Sequence, residues 1–243
     1  MTTKNTVFIW KDTEAISIAT AHYFVATCHR CIAKKGKFVV ALSGGNTPKR
    51  LYQILAIPEF SRNIPWNNVF LFWSDERFVP QEDADSNYRM VKENLLDHIS
   101  IPLKNIFPMP VNNTAKEGAK KYEATIRHFF NNKKIVFDWL LLGLGDDGHT
   151  ASLFPDTAIL KEKKRLIKEV WVKQKQTWRI SFTLPLINKA TQIIFLVSGK
   201  EKATVVADIL RHKKISPALP AQLIKPDKGA IYWMLDEQAA ANI

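Results

Sequence analysis

Phe137-Asp-Trp-Leu-Leu-Leu142, followed by Gly143-Leu-Gly-Asp-Asp-Gly-His149, decides how the chain is read: an apolar run stops in a loop of glycines, carboxylates and one histidine. The same construction occurs twice upstream. Phe38-Val-Val-Ala-Leu42 ends in Ser43-Gly-Gly-Asn-Thr-Pro48, and Val69-Phe-Leu-Phe-Trp73 ends in Ser74-Asp-Glu-Arg77. Short runs that stay apolar without alternation mark strands covered by helices on both faces, as in a parallel sheet, and 137–142 reads as one of these throughout. Longer amphipathic stretches separate them. Helices are expected over 13–35, from Pro48 at a first helical position, from a Ser86 cap to about His98, from the Thr114-Ala-Lys-Glu117 capping box towards Phe130, and over 200–211. Strands are expected at 7–10, 166–172, 180–184, 193–197 and 231–235. This order predicts an α/β fold, an open, doubly wound, mostly parallel sheet with helices on both faces and its polar loops at the carboxyl ends of the strands. No Gly/Ser/Pro-rich linker and no fixed-period repeat divides it, so 1–243 reads as a single domain.

With 243 residues, 46% hydrophobic and 24% charged, the chain has ordinary globular composition, which excludes wholesale disorder, collagen-like repeats and coiled coil. Its longest apolar stretch, 139–145, falls well short of the ~20 residues of a membrane helix. The apolar segment at 7–10 is too short for a secretory signal, so a cytoplasmic protein without membrane contact is expected. Cys28-His29-Arg30-Cys31 has redox spacing but falls late in a helix, away from the N-terminal end that stabilises a thiolate, and reads as incidental.

Charge raises nucleic acid as a partner: 35 Lys+Arg against 23 Asp+Glu gives +12. The basic residues concentrate at 161–179, where Trp171 and Trp178 sit among lysines, and at Arg211, Lys213 and Lys214. Basic runs are usually solvated faces, and no zinc-finger spacing, RNP motif or helix-turn-helix accompanies these, so no nucleic-acid partner is expected.

Three polar loops at strand carboxyl ends are expected to converge, because ligands bind there in open α/β sheets. In the first, Ser43, Gly44, Gly45, Asn46 and Thr47 combine close backbone approach, hydroxyl donors and a helix N-terminus, a composition suited to phosphate. The P-loop and dinucleotide fingerprints are both absent, and an ordinary glycine-rich turn is the competing reading. In the third loop, His149 with Asp147 two residues away suits a general base, since histidine titrates near neutrality and a carboxylate fixes its tautomer. Asp-x-His could instead supply two metal ligands, but no H-E-x-x-H or similar set completes a site, and no metal is expected. A helix N-cap beside a surface histidine also remains open. The second loop offers Asp75, Glu76 and Arg77; alone it reads as a solvated turn, whereas beside the other two Arg77 becomes a candidate oxyanion donor.

Taken together, Ser43-Gly-Gly-Asn-Thr-Pro48, the Asp75-Glu-Arg77 to Ser86-Asn-Tyr88 segment and Leu142-Gly-Leu-Gly-Asp-Asp-Gly-His-Thr-Ala-Ser-Leu-Phe-Pro155 resemble the 6-phosphogluconolactonase family. Similarity continues through Arg179-Ile-Ser-Phe-Thr183, Asn188-Lys-Ala190 and Val197-Ser-Gly-Lys-Glu-Lys-Ala203 to Pro217-Ala218. The resemblance implies a Rossmann-like fold and hydrolysis of 6-phospho-D-glucono-1,5-lactone in the oxidative pentose phosphate pathway, without cofactor. It also implies His149 as base, Asp147 orienting it, Arg77 on the carbonyl oxygen or ring, Asp75 on ring hydroxyls, and Arg179 and Lys202 joining Ser43–Thr47 at the phosphate. Ser43 and Ser152 are available hydroxyls, but no G-x-S-x-G elbow marks a nucleophile. Glucosamine-6-phosphate deaminases share the fold but resemble an F-N-E-P-like run where this chain has Leu153-Phe154-Pro155, and an aromatic where it has Arg77. Sugar-phosphate-sensing repressors carry a DNA-binding segment, for which the start near Val7 leaves no room.

Overall fold

The computed structural model describes residues 4–211 and 218–243, so His212, Lys213, Lys214 and Pro217 lie outside the described residues. The chain begins as β1 (Lys4–Trp10), and Asp12 then opens α1 (Thr13–Lys35) by accepting the Ala15 amide at 2.9 Å. There follow β2 (Phe38–Leu42), α2 (Asn46–Ala56), α3 (Pro58–Ser61), β3 (Val69–Trp73), β4 (Asp75–Arg77), α4 (Asn87–Asn94), β5 (Ile106–Phe107), α5 (Ala115–Phe129) and β6 (Trp139–Leu142). The remainder is β7 (Ile167–Val172), β8 (Thr177–Phe182), α6 (Leu184–Ile187), β9 (Gln192–Val197), α7 (Ala203–Leu210) and β10 (Ala230–Asp236).

Seven strands form one sheet in the order β1-β10-β9-β6-β2-β3-β5, with every neighbouring pair parallel. From β2 the chain winds through β3 to β5 on one side, then returns to β6 on the other and onwards to β9 and β10. The switch point lies between β2 and β6, where adjacent crossovers diverge and leave a crevice at the carboxyl edge. All five residues of β2 and all four of β6 are buried, which is why their sequences carry no polar alternation. Aromatic rings stack across neighbouring strands: Phe72 on Phe107 with centroids 4.5 Å apart, and Phe195 on Trp233 at 4.1 Å.

Several local expectations need correction. The run 137–142 is not a continuous apolar strand: β6 starts at Trp139, and the buried Asp138 accepts the Val39 amide at 2.9 Å and pairs with Lys35. α2 begins two residues before Pro48, which is tolerated because first-turn amides have no intrahelical acceptor. The helix capped by Ser86 ends at Asn94, where Leu95 leaves helical geometry, and α7 starts only at Ala203 after a tight turn at 200–202. The strand expected at 180–184 is β8, Thr177–Phe182, and it belongs to a second, antiparallel sheet of order β4-β8-β7. β4 and β5, of three and two residues, were too short to show a pattern.

This small sheet packs on α5. Gly118 allows the approach, since a Cβ there would meet the Pro110 carbonyl oxygen at 2.3 Å and Ile180 Cδ1 at 2.7 Å. Tyr122 of α5 ties the layers together, its hydroxyl accepting the Trp73 amide at 2.8 Å and donating to the Phe107 carbonyl at 3.0 Å. Cys28 and Cys31 are free thiols; burial pushes Cys28 up to about 12 and raises Cys31 as well, the opposite of a reactive pair. Among the described residues no helix is long and apolar enough to cross a membrane.

Candidate active site

A cavity of about 400 Å³ opens at the switch point, walled by the loops that follow β2, β3, β6 and β9. Ten of the eleven residues expected in a site line it: Ser43, Gly44, Gly45, Asn46, Thr47, Asp75, Arg77, His149, Arg179 and Lys202. The eleventh, Asp147, stands behind the histidine.

The glycine loop is held from below by its own helix. The Ser43 amide donates to the Tyr52 hydroxyl at 3.1 Å, and that hydroxyl donates to the Ser43 carbonyl at 2.7 Å, so the second turn of α2 fixes the loop that precedes the helix. Gly44 lies against Asn87, whose Oδ1 would stand 1.8 Å from any Cβ, so a larger residue here would have to displace the Asn87 side chain. The first-turn amides of α2, without helical acceptors, and the helix dipole leave this end of the cavity favourable to an anion. Thr47 shares a 2.8 Å hydroxyl hydrogen bond with Ser198, tying the loop to the end of β9.

Opposite-facing strands bring the two arginines together. In the antiparallel register of β4 and β8, Arg77 lies directly across from Arg179. Like charges so placed destabilise a sheet unless something compensates. The Nε atoms of both side chains are buried and have no hydrogen-bond partner among the described residues, while Arg77 donates to the Asp85 carbonyl at 2.6 Å. Burial pushes the Arg179 guanidinium down from its ordinary value, Asp75 opposes this, and Arg77 adds to it. A pair of half-satisfied guanidiniums in a cavity wall is chemistry for recognising an anionic or carbonyl oxygen.

Two carboxylates of β4 take different parts. Asp75 faces the cavity, with Oδ2 accepting from Ser152 Oγ at 2.7 Å. Glu76 points the other way and clasps α4: it accepts the amides of Arg77 and Asn87 at 2.8 and 2.7 Å and of Tyr88 at 2.8 Å. Burial pushes its carboxyl up to about 7, against those three donors, which favour the charged form.

His149 is positioned on three sides. Its Nδ1 donates to Asp147 Oδ1 at 2.6 Å, its amide donates to the same oxygen at 3.0 Å, and Phe154 stacks on the ring with centroids 4.0 Å apart. Partial burial alone would raise the Asp147 carboxyl, but the hydrogen bonds from the His149 ring and amide outweigh it and hold Asp147 below its ordinary value. With Nδ1 carrying the proton, Nε2 is the basic nitrogen of the neutral ring. The loop bends sharply behind it: Ala151 occupies the left-handed region at φ 47 and lines the cavity.

Lys202 lines the cavity but is ion-paired with Asp146 of the same loop as His149. Asp236, at the end of β10, accepts the Gly199 amide with both carboxylate oxygens at 3.1 Å and so fixes the turn that carries Ser198 and Lys202. Asn87, Ser198 and Glu201 are cavity residues that the sequence reading did not single out for the site. Ser198 and Glu201 follow the carboxyl end of β9, so the rule that located the other loops applied there too; Asn87 lay within the Ser86-Asn-Tyr88 motif, but nothing in its spacing marks its side chain as facing the cavity. No three His, Cys, Asp or Glu side chains among the described residues are grouped to hold a metal ion.

Fold and site together define a doubly wound α/β protein with an anion cradle, a paired histidine and two adjacent arginines at its switch point. The chain belongs to the family of glucosamine-6-phosphate isomerases and 6-phosphogluconolactonases, whose model matches residues 11–233. It is 43% identical to a 6-phosphogluconolactonase of Synechocystis over 88% of each chain, and 38% identical to one of Nostoc over 99% of each. The solved 6-phosphogluconolactonase of Trypanosoma brucei, 27% identical, superposes with a TM-score of 0.87 over the whole of both chains. A monomeric glucosamine-6-phosphate deaminase, 20% identical with a TM-score of 0.80 over 98% of this chain and all of its own, shares the fold.

Proposed function

We propose that this chain hydrolyses 6-phospho-D-glucono-1,5-lactone to 6-phospho-D-gluconate, the second step of the oxidative pentose phosphate pathway. One observation carries the reading: a histidine oriented by a carboxylate faces the same cavity as an anion-holding glycine loop and a pair of arginines. The substrate phosphate sits on Ser43, Gly44, Gly45, Asn46 and Thr47 at the N-terminus of α2, with Arg179 and Lys202 adding positive charge; Lys202 exchanges Asp146 for it. Asp75 accepts ring hydroxyls through the oxygen that Ser152 leaves open. His149 Nε2 takes a proton from water as the water oxygen attacks the lactone carbonyl carbon. Arg77 stabilises the tetrahedral oxyanion. The imidazolium, stabilised by Asp147, then returns the proton to the ring oxygen as the carbon–oxygen bond breaks.

A positioned base contributes about 10²–10⁴ in rate and an oxyanion donor about 10²–10³. Their product is large for an ester that opens readily unaided, so the chemistry needs neither a covalent nucleophile nor a metal or organic cofactor. We place the enzyme in the cytoplasm as part of the same reading.

The test compares three substrates under initial-rate conditions corrected for spontaneous opening. The expected result is rapid hydrolysis of the phosphorylated lactone, much weaker kcat/KM for unphosphorylated gluconolactone, and no ammonia from glucosamine 6-phosphate. Ammonia release without lactone hydrolysis would overturn the reading in favour of a deaminase.

A further inference from the structure

Ser152 is a hydroxyl within the most recognisable loop of the chain, yet no bond-making or bond-breaking step uses it. It is fully buried, does not line the cavity, and its Oγ is committed to Asp75 Oδ2 at 2.7 Å, so it cannot reach a substrate as a nucleophile. Its own position is fixed from the opposite side. The Ser152 amide donates to Ser181 Oγ at 3.1 Å, and the Ser181 hydroxyl donates to the Phe182 carbonyl at 2.9 Å. Ser181 is the residue directly across from Asp75 in the β4–β8 register. Ser152 is therefore inserted between two cross-strand neighbours, and the left-handed turn at Ala151 is what turns the loop inward to put it there.

We propose that Ser152 is a positioning residue: it docks the His149 loop onto the arginine-bearing sheet and holds Asp75 in the one orientation that presents Oδ1 to the substrate. A carboxylate rotates freely about its terminal bond unless an oxygen is anchored, and a buried donor to a charged acceptor is among the stronger anchors. The same contact sets the spacing between the base on one loop and the arginines on the other sheet. The proposal rests on the reading of Asp75 as a substrate-binding group.

The experiment is a double-mutant cycle on the phosphorylated lactone, measuring kcat, KM and thermal melting for wild type, Ser152→Ala, Asp75→Asn and the double variant. A hydrogen bond to a charged group corresponds to about tenfold or more in binding. Ser152→Ala should raise KM by about that factor with kcat changed less than about threefold. In the Asp75→Asn background the same substitution should cost clearly less, because the charged acceptor it acts through has become a neutral amide. A merely structural serine would give losses that multiply, and that outcome overturns the proposal, as does an unchanged KM in Ser152→Ala. A wild-type KM in Asp75→Asn overturns the reading of Asp75 itself and with it the role of Ser152, an outcome distinguishable from failure of the serine alone. If Ser152→Ala does not fold, Ser152→Cys, similar in size but a weak donor, should show the raised KM with a wild-type melting temperature; a wild-type KM in that variant is the contrary result.

Discussion

His149 owes its chemistry to contacts made by its neighbours in sequence, Asp147 two residues before and Phe154 five residues after. The carboxylate fixes which nitrogen is basic, and the stacked ring fixes where it points. Asp147→Asn keeps the shape but turns a pure acceptor into a group that can donate, favouring the wrong tautomer. The expected consequence is a fall in kcat of about 10²–10⁴ with little change in KM, checked by steady-state kinetics at neutral pH. Asp147 also links the site to acid: its depressed carboxyl contributes stability that is present above its ordinary value and lost as pH falls, and half-exposure to solvent keeps that contribution small. The residue scale was the most legible in sequence, because Asp147, His149 and Phe154 lie within one loop. Asn87 was not, because what places it in the cavity is packing between elements distant in the chain, whereas Ser198 lay within reach of the strand-end rule and was passed over.

At the scale of elements, α4 shows how a buried acid serves a helix. Glu76 takes two amides of the helix's first turn, and its raised value near 7 lies above the 4.5 of an unfolded glutamate. The stability it contributes is therefore fully present below about pH 4.5 and lost as pH rises through about 7, at most about 3 kcal/mol. Melting temperature should decline across that window, and the decline should flatten in Glu76→Gln, whatever the overall stability of that variant. Gly118→Ala tests the seat of the small sheet on α5. Helix propensity favours alanine by about 1 kcal/mol, but the new methyl meets a backbone oxygen that cannot swing aside, and overpacking costs about 1–3 kcal/mol. A net loss of up to about 2 kcal/mol is expected from urea unfolding. The main strands β2, β3 and β9 were readable to within a residue or so from unbroken apolar runs, and the helix α1 from the long amphipathic stretch that follows the first strand. Of the small antiparallel sheet, β7 and β8 were expected as strands, but β4 and the pairing were not, since β4 is three residues long and its identity as a strand comes from β8, about a hundred residues away. Asp75 and Arg77 are therefore placed by an element invisible to periodicity.

For the whole molecule, the net charge of +12 is less concentrated in function than its size implies. Within 161–179, Arg165 pairs with Glu169 at 2.7 Å and Lys168 with Glu162 at 3.1 Å, while Arg179 belongs to the cavity. What remains is a net positive charge, which would draw a phosphorylated substrate towards the proposed phosphate site. Raising ionic strength shortens the screening length from about 30 Å at 0.01 M to about 8 Å at 0.15 M, so kcat/KM for the phosphorylated lactone should fall over that range while the unphosphorylated lactone shows no such dependence. Initial rates at constant pH check this. The account as a whole stands on one claim, that the loops after β2, β3 and β6 meet at the switch point to form a hydrolytic site with His149 as its base. The most direct measurement is the initial rate of 6-phosphogluconolactone hydrolysis by wild type and His149→Ala, corrected for spontaneous opening and accompanied by a melting curve for each. The account predicts a folded variant slowed by about 10²–10⁴ in kcat; a folded variant with near-wild-type turnover would contradict it.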